Sequence, residues 1–349
     1  MYSTVDYSIT PRPNYLADGR KIPDIYSQPA ELRDTMQDSL GTFPLFEFWG
    51  PKTTINSSQW IANAAIQTDE LHNPTLTLIY LPHLDYNLQR YGLDFDIIYK
   101  DLKEIDSVVK QLVQHYESSS ANIILLSEYG ITNVNRPIHL NRVLRKNGYL
   151  SVRVERGLEL LDAGVSDAFA VADHQIAHVY VKNKEDITEV KELITQQKGV
   201  AQVLSGDEID AEHLQHERCG DLVVVADKDS WFTYYFWLDD TKAPDYARMV
   251  DIHKKPGYDP VEMMTDPKDK LVMAKVIGKL IKKKLGFRTV MNIIPIDATL
   301  IKGSHGRIPE DTDDYPILIS NGTLRKKDSV IKATDVYQII ENQVLNTRV

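Results

Sequence analysis

Thr75-Leu76-Thr77-Leu78-Ile79-Tyr80-Leu81 runs without a charge into Pro82-His83-Leu84-Asp85, and Asn122-Ile123-Ile124-Leu125-Leu126 runs in the same way into Ser127-Glu128-Tyr129-Gly130. Between them, residues 94–118 carry Ile97, Ile98, Leu102, Ile105, Val108, Val109 and Leu112 at helical spacing. Apolar strand, long amphipathic helix and apolar strand make the pattern of a βαβ crossover. Both strands are apolar enough to be covered on two faces. The expected fold class is therefore α/β, with a mostly parallel central sheet sandwiched by helices. Ligands in such sheets bind beyond the carboxyl ends of the strands, where Asp85 and Glu128 stand. A right-handed crossover would bring both carboxylates to one edge.

Outward from this unit, short helices are expected over 29–40 and from Asn56-Ser57-Ser58 to about Glu70, the latter capped by those polar residues. A further helix is expected over 136–146, closed by Asn147-Gly148. Residues 150–260 change character, with short strands near 150–154, 169–172, 177–181, 199–204 and 221–226 and a helix over 187–197. This stretch reads as an α+β cap segment inserted within a single domain over 1–349. A basic amphipathic helix over 270–285, a last strand at 315–319 and a helix over 334–346 complete the chain.

At 349 residues, 42% hydrophobic and 26% charged, the composition is that of a globular protein with room for a sizeable core. The net charge of −10 argues against a nucleic-acid binder, which needs a basic footprint. One cysteine, Cys219, excludes an intramolecular disulfide. No apolar run approaches the ~18–20 residues that span a bilayer, and the opening residues lack the basic and apolar parts of a signal peptide. A cytoplasmic location without membrane attachment is the expectation.

Several polar clusters carry potential chemistry. Asp85 alone is equally well read as a helix cap. Glu128 caps poorly, and a carboxylate straight after five apolar residues must be desolvated unless paired or bound to a cation. His305 lies in Gly303-Ser304-His305-Gly306, where glycines let backbone approach a ligand closely. Asp173-His174 sits between two short strands, and Asp251-Ile252-His253 precedes a turn-rich stretch. Histidine and carboxylate are the usual ligands of Zn²⁺, while Mn²⁺ and Mg²⁺ lean towards oxygen. His213, His216 and Cys219 read as a polar loop, and the Lys270–Arg288 run as a solvated face. Trp231, Tyr234, Tyr235 and Trp237 are either core or the walls of a pocket.

In order and spacing, Tyr80-Leu81-Pro82-His83-Leu84-Asp85-Tyr86, Leu126-Ser127-Glu128-Tyr129-Gly130, Gly220-Asp221-Leu222-Val223-Val224 and Gly303-Ser304-His305-Gly306 resemble the successive landmarks of the alkaline phosphatase superfamily. The branch they resemble is that of type I phosphodiesterases and nucleotide pyrophosphatases, which includes phosphonoacetate hydrolase. The resemblance covers roughly residues 56–320. It implies an alkaline phosphatase-like sandwich with two divalent metals, Zn²⁺ by expectation and Mn²⁺ or Mg²⁺ as alternatives, that activate a Thr or Ser nucleophile. Asp85 and His305 stand where the family has an Asp and a late His of one metal site, and Glu128 where it has the Asp of the other.

The chain departs from that pattern at Gln89 and Tyr129, where the family has imidazoles; His253, Asp173 and His174 are the candidate replacements. The family's first strand and nucleophile motif precede everything seen here, so an N-terminally incomplete chain with exposed sheet edges is expected and no catalytic residue is assigned. The reading is a metal-dependent hydrolase of a phosphodiester, nucleotide or phosphonate, weakened or inactive in this chain, with a small phosphorylated substrate and self-association left open. The alternative is a catalytically impaired member that binds a phosphorylated ligand or a protein partner. An ordinary α/β protein whose polar strand ends are caps would bind no metal.

Overall fold

The computed structural model describes residues 4–17, 20–322 and 330–346. The chain divides into two compact units, Met1–Asp85 with Asp96–Glu128 and Pro316–Val349, and Tyr86–Phe95 with Tyr129–Tyr315.

The first unit is mainly helical. Thr54 accepts a hydrogen bond from the Asn56 amide at 3.2 Å, so the helix Ile55–His72 starts earlier than its Asn-Ser-Ser sequence suggests. Its Trp60 and Ala64 join Leu32, Met36, Phe43 and Leu45 in one small core, while Ala62 meets Val108 and Leu112 of the helix Phe95–Ser118 in another.

The expected first strand, 75–81, is assigned no regular element and belongs to no ladder. Its odd-numbered residues Ile79 and Leu81 pack on the Ala62–Val108 cluster. Leu76, Leu78 and Tyr80 alternate to the other side and remain 50%, 78% and 60% exposed. The alternation is that of a strand with one covered face. The second expected strand, Ile124–Leu126, pairs antiparallel with Leu318–Ser320 instead of lying parallel to 75–81. These two segments therefore do not form the expected βαβ crossover.

The second unit holds the largest sheet, four strands in the order Ala168–Asp173, Ile176–Val181, Leu222–Ala226, Val200–Ser205, all antiparallel. Ala168, Ala170 and Ala172 alternate with half-buried residues and face a core built with Leu140 and Leu144 of the helix Leu140–Lys146 and Val190 and Ile194 of the helix Ile187–Thr195. Small side chains on the strand allow the helices to lie close. Ser230–Phe232 runs parallel to Arg136–Ile138. Apart from this pair and an isolated bridge between Ala172 and Gly257, every ladder among the described residues is antiparallel. The architecture is thus mixed α/β with several small sheets, and the mostly parallel central sheet is not present among these residues. The local reason is the tight connection at Asp173–Ile176, which returns the chain as a hairpin, the antiparallel form of pairing.

The helix Val272–Lys284 forms as its spacing predicts, yet it buries only Val276 and leaves Met273, Ile277, Leu280 and Ile281 exposed. No helix among the described residues is long and apolar enough to cross a membrane.

Candidate metal centre

The Pro82-His83-Leu84-Asp85 landmark starts the helix His83–Tyr91, with the Asp85 amide bonded to the Pro82 carbonyl at 3.1 Å. A carboxylate in a first helical turn is favoured by the unpaired amides there, which accounts for the placement of Asp85. Glu128 is exposed at the end of Ile124–Leu126, and the desolvation argument made from its apolar neighbours does not hold. Leu125 and Leu126 are themselves 37% and 44% exposed. Both carboxylates act on one phenol: the Tyr80 hydroxyl pKa is raised by the atoms crowding it and further by the charges of Asp85 and Glu128. Within the first unit two acidic groups thus act on Tyr80.

In the second unit the late landmark is fixed by close backbone contacts. A Cβ on Gly303 would stand 2.1 Å from the Leu88 carbonyl oxygen, and one on Gly130 would stand 1.9 Å from that of Asp314. Glycine is required at both positions. Gly303–Ser304 then pairs antiparallel with Thr132–Asn133, which sets His305 beside Tyr129.

Four rings stack in succession there. Tyr129 lies flat on His305 at 3.4 Å and 3°, His305 meets His174 at 3.8 Å, and His174 meets Tyr258 at 4.2 Å. His174 occupies the turn between Ala168–Asp173 and Ile176–Val181 with φ of 55°, a left-handed conformation suited to a two-residue hairpin. That turn is held from outside: Phe232 donates to the His174 carbonyl at 2.7 Å, and Gln175 donates its amide to the His305 carbonyl at 2.8 Å.

Burial holds both imidazoles neutral. The His305 pKa is lowered to about 4 by desolvation, and that of His174 falls well below its ordinary value through burial and the neighbouring His305. His305 Nε2, His174 Nδ1 and the Ser304 hydroxyl are buried with no hydrogen-bond partner among the described residues. A neutral imidazole with a free ring nitrogen is the form that ligates a metal. His174 and His305 bring two such nitrogens into one ring stack, and among the described residues no third carboxylate, imidazole or thiol is gathered with them as a ligand set.

Of the other expected ligands, Asp173 is exposed with an oxygen 3.8 Å from His174 Nε2. His253 is exposed on the turn after Asp251 and makes no hydrogen bond or ion pair among the described residues. The structure thus joins His174 to His305, and leaves His253 outside that ring stack. Tyr129 and Tyr258 escaped the reading as ring partners because stacking across distant loops leaves no local sequence signal. The aromatic run from Trp231 is not a pocket wall: Trp231, Tyr234, Tyr235 and Trp237 are at most 2% exposed and belong to the core. Asp221, inside another landmark, accepts from the Val181 amide at 2.8 Å and closes a strand end.

The family description "Type I phosphodiesterase / nucleotide pyrophosphatase" matches residues 1–259 of this chain. No curated protein gives a sequence match. Among solved structures, murine ectonucleotide pyrophosphatase / phosphodiesterase 5, in an inactive form in complex with AMP, is similar at 15% identity over 81% of this chain and 57% of its own, with a TM-score of 0.48. Phosphonoacetate hydrolase from Sinorhizobium meliloti in complex with phosphonoformate is similar at 15% identity over 59% of this chain and 48% of its own, with a TM-score of 0.40. The chain therefore spans 57% of the length of the mouse structure it resembles.

Proposed function

Because the chain belongs to the type I phosphodiesterase / nucleotide pyrophosphatase family, we propose that it is a metal-dependent phosphoesterase-type hydrolase acting on a small phosphodiester, nucleotide or phosphonate. The observation that carries the metal dependence is the His174–His305 pair, two neutral imidazoles each with an unpartnered ring nitrogen. Asp85 and Glu128 supply the oxygen donors of the first unit, and His305 with His174 the nitrogen donors of the second, with Asp173 adjoining and His253 the weakest candidate. When bound, the metals supply Lewis-acid stabilisation of phosphoryl charge. The residues themselves hold their lone pairs ready: burial keeps the imidazoles unprotonated, and the glycines around His305 fix its backbone. An alkaline phosphatase-like sandwich is the fold we assign to the complete family architecture, with 150–260 as the segment that selects the substrate.

A second reading is favoured by one specific observation. Tyr129, which stands in place of a family imidazole, lies flat on His305 and offers a ring face there where imidazole would offer a nitrogen. That substitution suits a member that binds a phosphorylated ligand with little turnover. The test is the chain stripped with EDTA, reloaded with Zn²⁺ or Mn²⁺, and assayed on bis-p-nitrophenyl phosphate, with metal content measured in parallel. Metal-dependent turnover abolished by His305→Ala supports the hydrolase. Metal and ligand binding without turnover supports the second reading. Absence of both, with unchanged folding, refutes the two together.

A further inference from the structure

We propose that His83, Asp101 and Glu104 form a separate divalent-cation site, with Zn²⁺ as its occupant. The phosphoesterase reading uses none of the three. Asp101 and Glu104 are three residues apart in the helix Phe95–Ser118 and therefore share a face. His83 opens the helix His83–Tyr91 and turns its ring onto that face.

Its Nε2 lies 3.1 Å from Glu104 Oε2 and 3.6 Å from Asp101 Oδ1, and the three ligand atoms are all within 4.8 Å of one another. Among the described residues, this is the one trio of His, Cys, Asp or Glu so disposed. The spacing is compatible with a shared ion. Bonds of about 2.0–2.1 Å at tetrahedral angles set ligand atoms about 3.3–3.4 Å apart, and the two measured separations fall on either side of that edge length.

Imidazole and carboxylate are both zinc ligands, and three protein ligands leave a fourth position open for water. The mixed N and O donors favour a borderline ion over Mg²⁺ or Ca²⁺, which want oxygen alone. Burial strengthens the case, since His83 is 4% and Asp101 5% exposed and a carboxylate at such a place carries a desolvation cost that a divalent ion helps to offset. Lys100, whose side chain is 81% exposed, reaches the other Glu104 oxygen, Oε1, at 3.4 Å. Glu104 Oε2 is the oxygen turned to His83. An ion here would tie the turn just ahead of Asp85 to the long helix.

The test uses the full chain, stripped with EDTA, dialysed against Zn²⁺ alone and measured by elemental analysis and calorimetric titration. Asp101→Asn/Glu104→Gln is expected to hold one zinc fewer than the unaltered chain. Asp85→Asn/Glu128→Gln, which removes the carboxylates of the phosphoesterase reading, is expected to keep that zinc. Loss of even an outer partner weakens metal binding about 10–100-fold, so the affinity of this site should fall by at least about 100-fold when two ligands go. Should the double variant fail to fold by circular dichroism, Glu104→Gln alone, at a partly exposed position, should weaken one zinc by at least about tenfold. Unchanged stoichiometry and affinity in Asp101→Asn/Glu104→Gln, or in Glu104→Gln, overturns the site and leaves the phosphoesterase reading standing. Tighter binding of Mn²⁺ than Zn²⁺ at these residues overturns the assignment of the ion.

Discussion

Replacing Lys255 by Met should destabilise the second unit by about 4 kcal/mol at pH 7 and by much less at pH 5. Lys255, Asp259 and Glu262 are packed with side-chain exposures of 0%, 2% and 0%, and the ammonium lies 2.7 Å from a carboxylate oxygen of each partner. Burial favours the neutral amine, but the charges of Asp259 and Glu262 outweigh it and hold the Lys255 pKa above its ordinary value. Burial also pushes the Glu262 carboxyl up, against the pull of Lys255. Removing one partner of a buried ion pair costs about 3–5 kcal/mol, because the remaining charge has no compensation.

Two carboxylates would be left together in Lys255→Met, and protonating one of them relieves the repulsion. From an ordinary pKa near 4.3, that protonation costs about 4 kcal/mol at pH 7, which limits the loss to the same range. At pH 5 it costs about 1 kcal/mol, so the penalty should shrink by about 3 kcal/mol. The sign follows from linkage: a carboxyl whose folded pKa is raised destabilises the fold at high pH, and that effect disappears as pH falls. Urea unfolding followed by tryptophan fluorescence reads this unit through buried Trp231 and Trp237. Lys255→Met/Glu262→Gln should recover more than half of the loss. A penalty under about 1 kcal/mol at pH 7, or one of equal size at pH 5, would refute the reasoning.

Three further outcomes are expected. His139 and His305 both have pKa values lowered to about 4, in each case first by burial; their contribution is full above about pH 6.5 and lost as pH falls towards 4, at most about 3 kcal/mol each. Unfolding of the metal-free chain across that window should show the decline, and His139→Gln should make it shallower. Gly303→Ala, which drives a Cβ to 2.1 Å from a carbonyl oxygen, should cost at least about 3 kcal/mol, whereas Gly278→Ala in an open helical position should gain about 0.5–1 kcal/mol; melting temperatures of the pair decide it. Asn141 closes the edge of the four-stranded sheet by bonding both the amide and the carbonyl of Ala170, at 2.7 and 2.8 Å. Asn141→Leu should cost about 2–6 kcal/mol and speed hydrogen exchange at the Ala170 amide, and unchanged exchange would count against this edge role.

What could be read along the chain depended on how local its cause was. The helices over 55–72, 95–118, 187–195 and 272–284 were legible because their apolar period is set within four residues. The hairpin strands around His174 were legible through alternation. Pairing partners were not, since Ile124–Leu126 meets residues nearly two hundred positions away and nothing within the strand names them. At the candidate centre, His305 was found through its glycines and His174 through its carboxylate neighbour. Their ring-to-ring contact, and the His83–Asp101–Glu104 trio, join segments that carry no mutual signal.

The order of landmarks determined the family, because each landmark is a short run of glycine and polar groups beside apolar residues and such positions are written residue by residue. Tertiary structure alone decided which faces are covered, which strands pair, and which polar side chains share a buried place. Those are contests between distant surfaces for burial, and the outcome set the charge states as well. His305 is neutral because of what packs on it, and Glu128 is solvated despite the apolar run before it.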